Sequence, residues 1–181
     1  MYHIGMKSAE QLLALINDTN SLTLTFDDVE FGTPSALTLE SQEGEENPAN
    51  TEVVMTAKPN RKPVGNVVVK YDRIDLAEFE TLGDPHGIAV DTPVTHASVV
   101  EAFNRFYGSA LELVDVDQTT ELPANLDEDE VVELKASAES LAYRGSIELL
   151  VESGGIDLNT AISNKDLSGL VLRFASAQQP A

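Results

Sequence analysis

The sequence predicts an α+β fold of two tandem repeats, each a helix plus short antiparallel strands and a β-hairpin. Three observations predict it. Shifting the chain by 87 positions lays Ser8-Ala9-Glu10-Gln11-Leu12-Leu13-Ala14-Leu15-Ile16-Asn17 on Thr95-His96-Ala97-Ser98-Val99-Val100-Glu101-Ala102-Phe103-Asn104. The same shift lays Leu24 on Leu111 and Asp28-Val29-Glu30 on Asp115-Val116-Asp117. A shift of 82 lays Ile74-Asp75-Leu76 on Ile156-Asp157-Leu158, and the run from Asp84 to Val90 on that from Asp166 to Leu172. Between these blocks each half has a valine pair (Val53-Val54, Val131-Val132), a polar turn, a glycine (Gly65, Gly145) and a β-rich run. Self-similarity at a fixed offset is the signature of a repeated supersecondary unit. The modules fall at 1–93 and 94–181, with Asp91-Thr92-Pro93-Val94 as the linker.

Each element has a local reason. Ser8 and Thr95 are residue types that cap a helix N-terminus by accepting from an orphan amide, and Gln11 stands where a capping box needs it. Leu12, Leu13 and Ile16, and Val99, Val100, Phe103, Phe106 and Tyr107, form apolar stripes at helical spacing. Ile16 and Phe103 are expected in the core. Thr23-Leu24-Thr25-Phe26 and Ala110-Leu111-Glu112-Leu113 alternate with period 2 and predict short strands. Val53 to Tyr71 and Val131 to Val151 predict hairpins, re-entered at Gly65 and Gly145. Asp75 and Asp157 are expected to cap helices of one or two turns. Gly87 and Gly169 precede the expected closing strands, Ile88-Ala89-Val90 and Leu170-Val171-Leu172-Arg173-Phe174. Glu40 to Thr51 and Leu122 to Glu130 read as acidic loops, and the tail from Ala175 as frayed.

Composition narrows the function classes. Among 181 residues, 11 are Lys or Arg and 31 are Asp or Glu, a net charge of −20. That sign speaks against nucleic acid, whose phosphates need clustered cations. There is no Cys, so disulfides, thiolate nucleophiles and Cys-type zinc sites are excluded together. No apolar run approaches the roughly 18 residues of a membrane span, and Met1-Tyr2-His3-Ile4-Gly5 does not resemble a signal peptide. The expectation is an acidic globular protein that is soluble and unassociated with membranes.

Motifs for chemistry are sparse. The densest carboxylate run, Asp127-Glu128-Asp129-Glu130 near Asp115 and Asp117, is consecutive and lacks the alternating ligands and Gly turn of a calcium loop. Glu43, Glu45 and Glu46 likewise read as solvated. Of the three histidines, His3, His86 and His96, the second sits in a turn opposite Ser168 and the third matches Ala9. No Gly-x-Ser-x-Gly elbow and no phosphate-binding glycine loop occurs. The sequence predicts no enzyme, no catalytic residue, no metal and no cofactor.

One charge feature stands out. Five of the 11 cations, Lys58, Arg61, Lys62, Lys70 and Arg73, lie within 16 residues of the first hairpin, whereas the second keeps Lys135 and Arg144. They are either ordinary surface or a contact for an acidic surface on a neighbouring chain. The second alternative makes these five the candidate interface, with the turn Lys58, Arg61 and Lys62 foremost.

The phrase Val67-Val68-Val69-Lys70-Tyr71-Asp72-Arg73-Ile74-Asp75-Leu76, the Gly-apolar strand after it, and the helix Thr95 to Tyr107 with Leu113-Val114-Asp115-Val116-Asp117 resemble virion structural proteins of large tailed bacteriophages. Those proteins carry hairpins ending in a Tyr-Asn-Arg-hydrophobic-Asp-Leu phrase. Here Asp72 replaces the Asn, and the second half, Gly154-Gly155-Ile156-Asp157-Leu158, lacks the arginine. The resemblance carries no catalytic or ligand motif. It implies a non-enzymatic component of the particle, in tail, neck or baseplate rather than the major capsid shell. It would be assembled in the host cytoplasm with other virion proteins or copies of itself as partners. The competing expectation is a soluble binding module, carbohydrate-binding or adhesin-like. Sugar sites stack on exposed aromatics, and this chain has no Trp, four Tyr and six Phe, several already in the helix stripe.

Overall fold

The computed structural model describes residues 5–38, 49–82, 88–123 and 130–153. In chain order the elements are α1 (Ser8–Asn20), β1 (Val29–Phe31), β2 (Ser35–Ala36), β3 (Thr51–Ala57), β4 (Asn66–Tyr71), β5 (Ile74–Asp75), a 3-10 segment (Leu76–Leu82), β6 (Ile88–Val90), α2 (His96–Tyr107), a 3-10 turn (Leu113–Asp115), β7 (Glu130–Lys135), β8 (Tyr143–Arg144) and β9 (Ser146–Ser153). The fold class is α+β, as expected. The predicted hairpins are β3–β4, running from Thr51↔Tyr71 to Thr56↔Asn66, and β7–β9, from Glu130↔Val151 to Lys135↔Ser146. Gly65 and Gly145 re-enter the second strands at φ 89° and 72°, the left-handed region that glycine enters without steric cost.

The alternating runs after the helices are not strands. Asn17 Nδ2 donates to Leu24 O at 2.9 Å while Leu24 N donates back to Asn17 Oδ1 at 3.0 Å. Asn104 holds Leu111 in the same way, at 2.9 Å in both directions. The amide satisfies one residue of the run, as a neighbouring strand would, and a turn follows. Asp28 Oδ2 accepts from Thr25 N at 2.9 Å, and Asp115 Oδ2 from Glu112 N at 3.0 Å. Pairing begins only afterwards, at Val29↔Ala57 and at the isolated bridge Val116↔Ala136. Polar side chains capturing nearby backbone outcompeted the β pattern.

Ser8 is not the cap of α1. The helix starts at Ser8 with Lys7 before it, and Lys7 N donates to Glu10 Oε2 at 3.3 Å. Ser8 and Gln11 instead reach the second half. Thr95 does cap α2: its Oγ1 accepts from Ser98 N at 3.1 Å, and Ser98 Oγ accepts from Thr95 N at 2.9 Å. Phe106 leaves the predicted stripe at 46 % exposure, whereas Ile16 and Phe103 are buried. Asp75 Oδ1 accepts from Ala77 N at 3.2 Å and opens the 3-10 segment as expected. The predicted pairings of Asp75 with Asp157 and of Gly87 with Gly169, and the last closing strand, lie outside the described residues, as does most of both acidic loops.

Packing crosses the boundary at 93/94. Ile74, Leu76, Phe79, Ile88 and Val90 are buried in one cluster with Val99, Phe103, Leu134, Tyr143, Ile147 and Leu149. β6 runs parallel beside β9, with Ile88 opposite Val151, and β5 runs parallel beside β8. The end of the first half therefore covers the hairpin of the second. The remaining core, Leu12, Ile16, Val53 and Tyr71 with Phe31, Met55, Val69 and Leu141 at its margin, is smaller.

Candidate functional site

The polar groups that the fold buries collect at the junction of the two halves. The turn after α2 sinks Asp115 to 1 % exposure. Its Oδ1 accepts from Ser8 Oγ at 2.5 Å and from Ser140 Oγ at 2.7 Å. Gln11 Nε2, one turn along α1, donates to Tyr143 Oη at 2.9 Å and to Met6 O at 2.8 Å. Lys7 Nζ donates to Glu112 Oε1 at 2.7 Å on the exposed rim. The N-terminal turn of α1 is thus bonded to the 3-10 turn and β8 of the second half.

Arg73 makes the second link. It lies two residues past the end of β4, and its Nε donates to Thr51 Oγ1 at 2.9 Å. Its Nη1 donates to Ser140 O at 3.2 Å and to Ala138 O at 3.4 Å. A guanidinium can serve both because its donors form a fixed fork. Burial lowers its pKa from the usual arginine range, partly opposed by Tyr71. Burial likewise raises the Tyr143 phenol, and the Gln11 bond acts in the opposite sense. At the rim Arg144 Nη2 meets Asp75 Oδ2 at 3.2 Å.

The five predicted interface cations do not form one patch. Arg73 is 9 % exposed and leaves the group for the junction. Lys58 Nζ donates to Phe26 O at 2.6 Å, and Arg61 approaches Asp27 at 3.6 Å. These two hold the β3–β4 turn to the end of the first helix–turn unit. Lys62 is exposed beside them, and Lys70 is exposed on β4.

The chain matches the family model described as a family of unknown function, DUF7941, over residues 1–179. It belongs to that family. No curated protein and no solved structure matches it.

In this DUF7941 chain the buried polar groups of the junction bond to one another and to backbone carbonyls. Asp115 faces hydroxyls that donate to it, and Arg73 faces carbonyls, so each buried charge is held in a fixed geometry. Among the described residues no three His, Asp or Glu side chains gather where a metal could bind, and no helix is long and apolar enough to cross a membrane. His96 stands at the start of α2 with a buried Nε2 that meets no hydrogen-bond partner. His3, His86 and Asp127 to Asp129 lie outside the described residues, while Glu130 begins β7. Sequence reasoning missed Asp115, Ser8 and Ser140 as a set. The offset of 87 did mark Asp115, as the match of Asp28, but only for the turn they share.

Proposed function

We propose that this chain is a non-enzymatic structural component of a tailed-phage particle, in tail, neck or baseplate. It is built of two tandem copies of one module, 1–93 and 94–181, and its partners are other virion proteins or copies of itself. The observation that carries this reading is the junction. Asp115 and Arg73, the two buried charged groups among the described residues, are both spent on locking one half to the other. Buried charged groups serve structural networks as well as active sites, and here they hold the two halves in a fixed relative position, as an assembly protein needs.

The duplication is supported by bonds that recur in both halves in the same order, 87 residues apart around the helices and 79 or 80 apart in the hairpins. The Asn17–Leu24 and Asn104–Leu111 clamps are 87 residues apart, as are the Asp28 and Asp115 turns. Lys58 N donates to Asp28 O at 2.8 Å, and Ser137 N to Asp115 O at 2.7 Å. Ala57 N donates to Gly65 O and Ala136 N to Gly145 O, both at 2.9 Å. The phage assignment rests on the resemblance around Tyr71-Asp72-Arg73. Mass spectrometry of purified particles from a phage encoding this chain tests it: the chain should be present in stoichiometric amount. Its absence from particles overturns the structural reading.

A further inference from the structure

Two exposed features, one in each half, have complementary chemistry. The first is the turn between β3 and β4, residues 58–65. It is held in one shape: Ala57 N donates to Gly65 O at its base, Lys58 Nζ reaches Phe26 O, and Arg61 meets Asp27. Past those ties Val64 stands 89 % exposed, two residues from the exposed Lys62. The position before the equivalent glycine of the second hairpin is Arg144, and Asp75 engages it at 3.2 Å. The folded chain makes no such use of Val64.

The second feature is the outer face of β7–β9. Val132 and Leu134 are buried, so Val131 and Glu133 lie on the opposite side of β7. The register sets Val131 opposite the half-buried Leu150 and Glu133 opposite Glu148. Val131 is 53 % exposed, and both glutamates are exposed. Like charges directly opposite one another destabilise a ladder. Lys135, the cation on that face, meets Asp117 at 3.5 Å instead, and neither glutamate has an ion-pair partner among the described residues. The equivalent pair in the first hairpin is Val54↔Val68, so the fold itself does not call for two acids there.

We propose that the β3–β4 turn of one copy of this chain docks on the outer face of β7–β9 of a second copy, with Val64 on Val131 and Leu150 and the Lys62 ammonium between Glu133 and Glu148. The spacing agrees. Val131 and Glu133 are two residues apart on a strand, about 6.6 Å, and Lys62 and Val64 are separated by at most about 7 Å of chain. Both surfaces are exposed within one chain, so they do not meet each other there, and the occupant is another copy. Bodies of charge −20 repel, and a cation placed between two acids offsets that repulsion locally. The two surfaces differ, so the contact is head to tail and repeats into a ring or a filament. This inference rests on the reading of the chain as an assembly component and not on the phage assignment.

Charge reversal in the full chain tests it by sedimentation. Lys62→Glu alone, and Glu133→Lys with Glu148→Lys alone, should each abolish concentration-dependent mass without changing the melting temperature. Mixing the two variants should restore it, because each turn then meets a face of opposite charge. Parent-like association of either variant, or no restoration on mixing, would overturn the proposal. Parent association should also weaken between about 0.1 M and 1 M salt, as the Debye length falls from about 10 Å to about 3 Å; indifference to salt would overturn it. The chain has no Cys, so a mixture of Val64→Cys and Val131→Cys chains should give a disulfide-linked dimer that neither gives alone. A dimer from Val131→Cys alone would mean that two second hairpins face each other, and would overturn the head-to-tail contact. None of these failures would remove the chain from purified particles, so the reading above stands or falls separately.

Discussion

The two hairpins use the same register, the same left-handed glycine and the same backbone bonds at the turn, but they occupy different environments. β7–β9 lies under Phe79, Leu76, Ile88 and Val90, with Phe79 packed against Phe103 at 5.1 Å between ring centres. β3–β4 has α1 at one end of its inner face and leaves Val67 exposed at the other. Like local structure does not imply like stability. What separates the two is a segment from elsewhere in the chain, and burial follows that segment rather than the strands themselves.

The largest expected effect is at the centre of the covered unit. Phe103 is fully buried and touches Phe79 and Tyr107, so Phe103→Ala should cost about 3–5 kcal/mol in urea unfolding. A loss below about 1 kcal/mol would mean that the aromatic cluster is not the core of that unit. Next comes the direct comparison. Ile147→Ala should cost about 2–5 kcal/mol, whereas Val67→Ala, its counterpart, should stay within about 0.5 kcal/mol for the isolated chain. Equal losses would erase the difference between the hairpins.

The glycines sharpen the same contrast at smaller scale. Both take positive φ, so an alanine at either carries a left-handed cost of about 1–2 kcal/mol. A Cβ at Gly65 meets open space, but at Gly145 it would run into the Asp75 carboxylate that pairs with Arg144. Gly145→Ala should therefore cost about 1–3 kcal/mol more than Gly65→Ala, the usual range for an overpacked site. Matching melting temperatures for the two variants would show that Asp75 moves aside freely.

Much of this architecture was legible because it is local. Helical stripes, hairpin glycines and the Asp75 cap depend on residues near one another in the chain, and each left a spacing to read. The two short strands after the helices were misread because Asn17 and Asn104 replace a strand partner with a side chain, which hydrophobic alternation does not register. The junction was illegible for a different reason. Ser8 and Asp115 are 107 positions apart, as are no residues in any local motif, and Ser8 has an ordinary alternative use as a helix cap. Arg73 looked like one more surface cation because composition cannot tell an arginine that faces water from one that faces carbonyls.

The smallest effect concerns the two buried phenols. Tyr143 accepts from Gln11 at 2.9 Å, while the Tyr71 hydroxyl is buried without a partner. Tyr143→Phe should cost about 0.5–1.5 kcal/mol, the net worth of an ordinary hydrogen bond. Tyr71→Phe removes a polar atom that gains nothing from its burial, so it should be neutral or slightly stabilising. Alkaline pH separates them further. Burial pushes the Tyr71 pKa up to about 12 from 10.0, with Arg73 pulling the other way. Its folded pKa is raised, so its contribution is fully present below pH 10.0 and is lost as pH rises towards about 12, because the unfolded chain releases the proton first. Melting temperatures of the parent and of Tyr71→Phe should therefore diverge in favour of the variant as pH rises above 10.0. Parallel curves, or a loss in Tyr71→Phe as large as in Tyr143→Phe, would mean that the first hairpin already holds a partner for that hydroxyl.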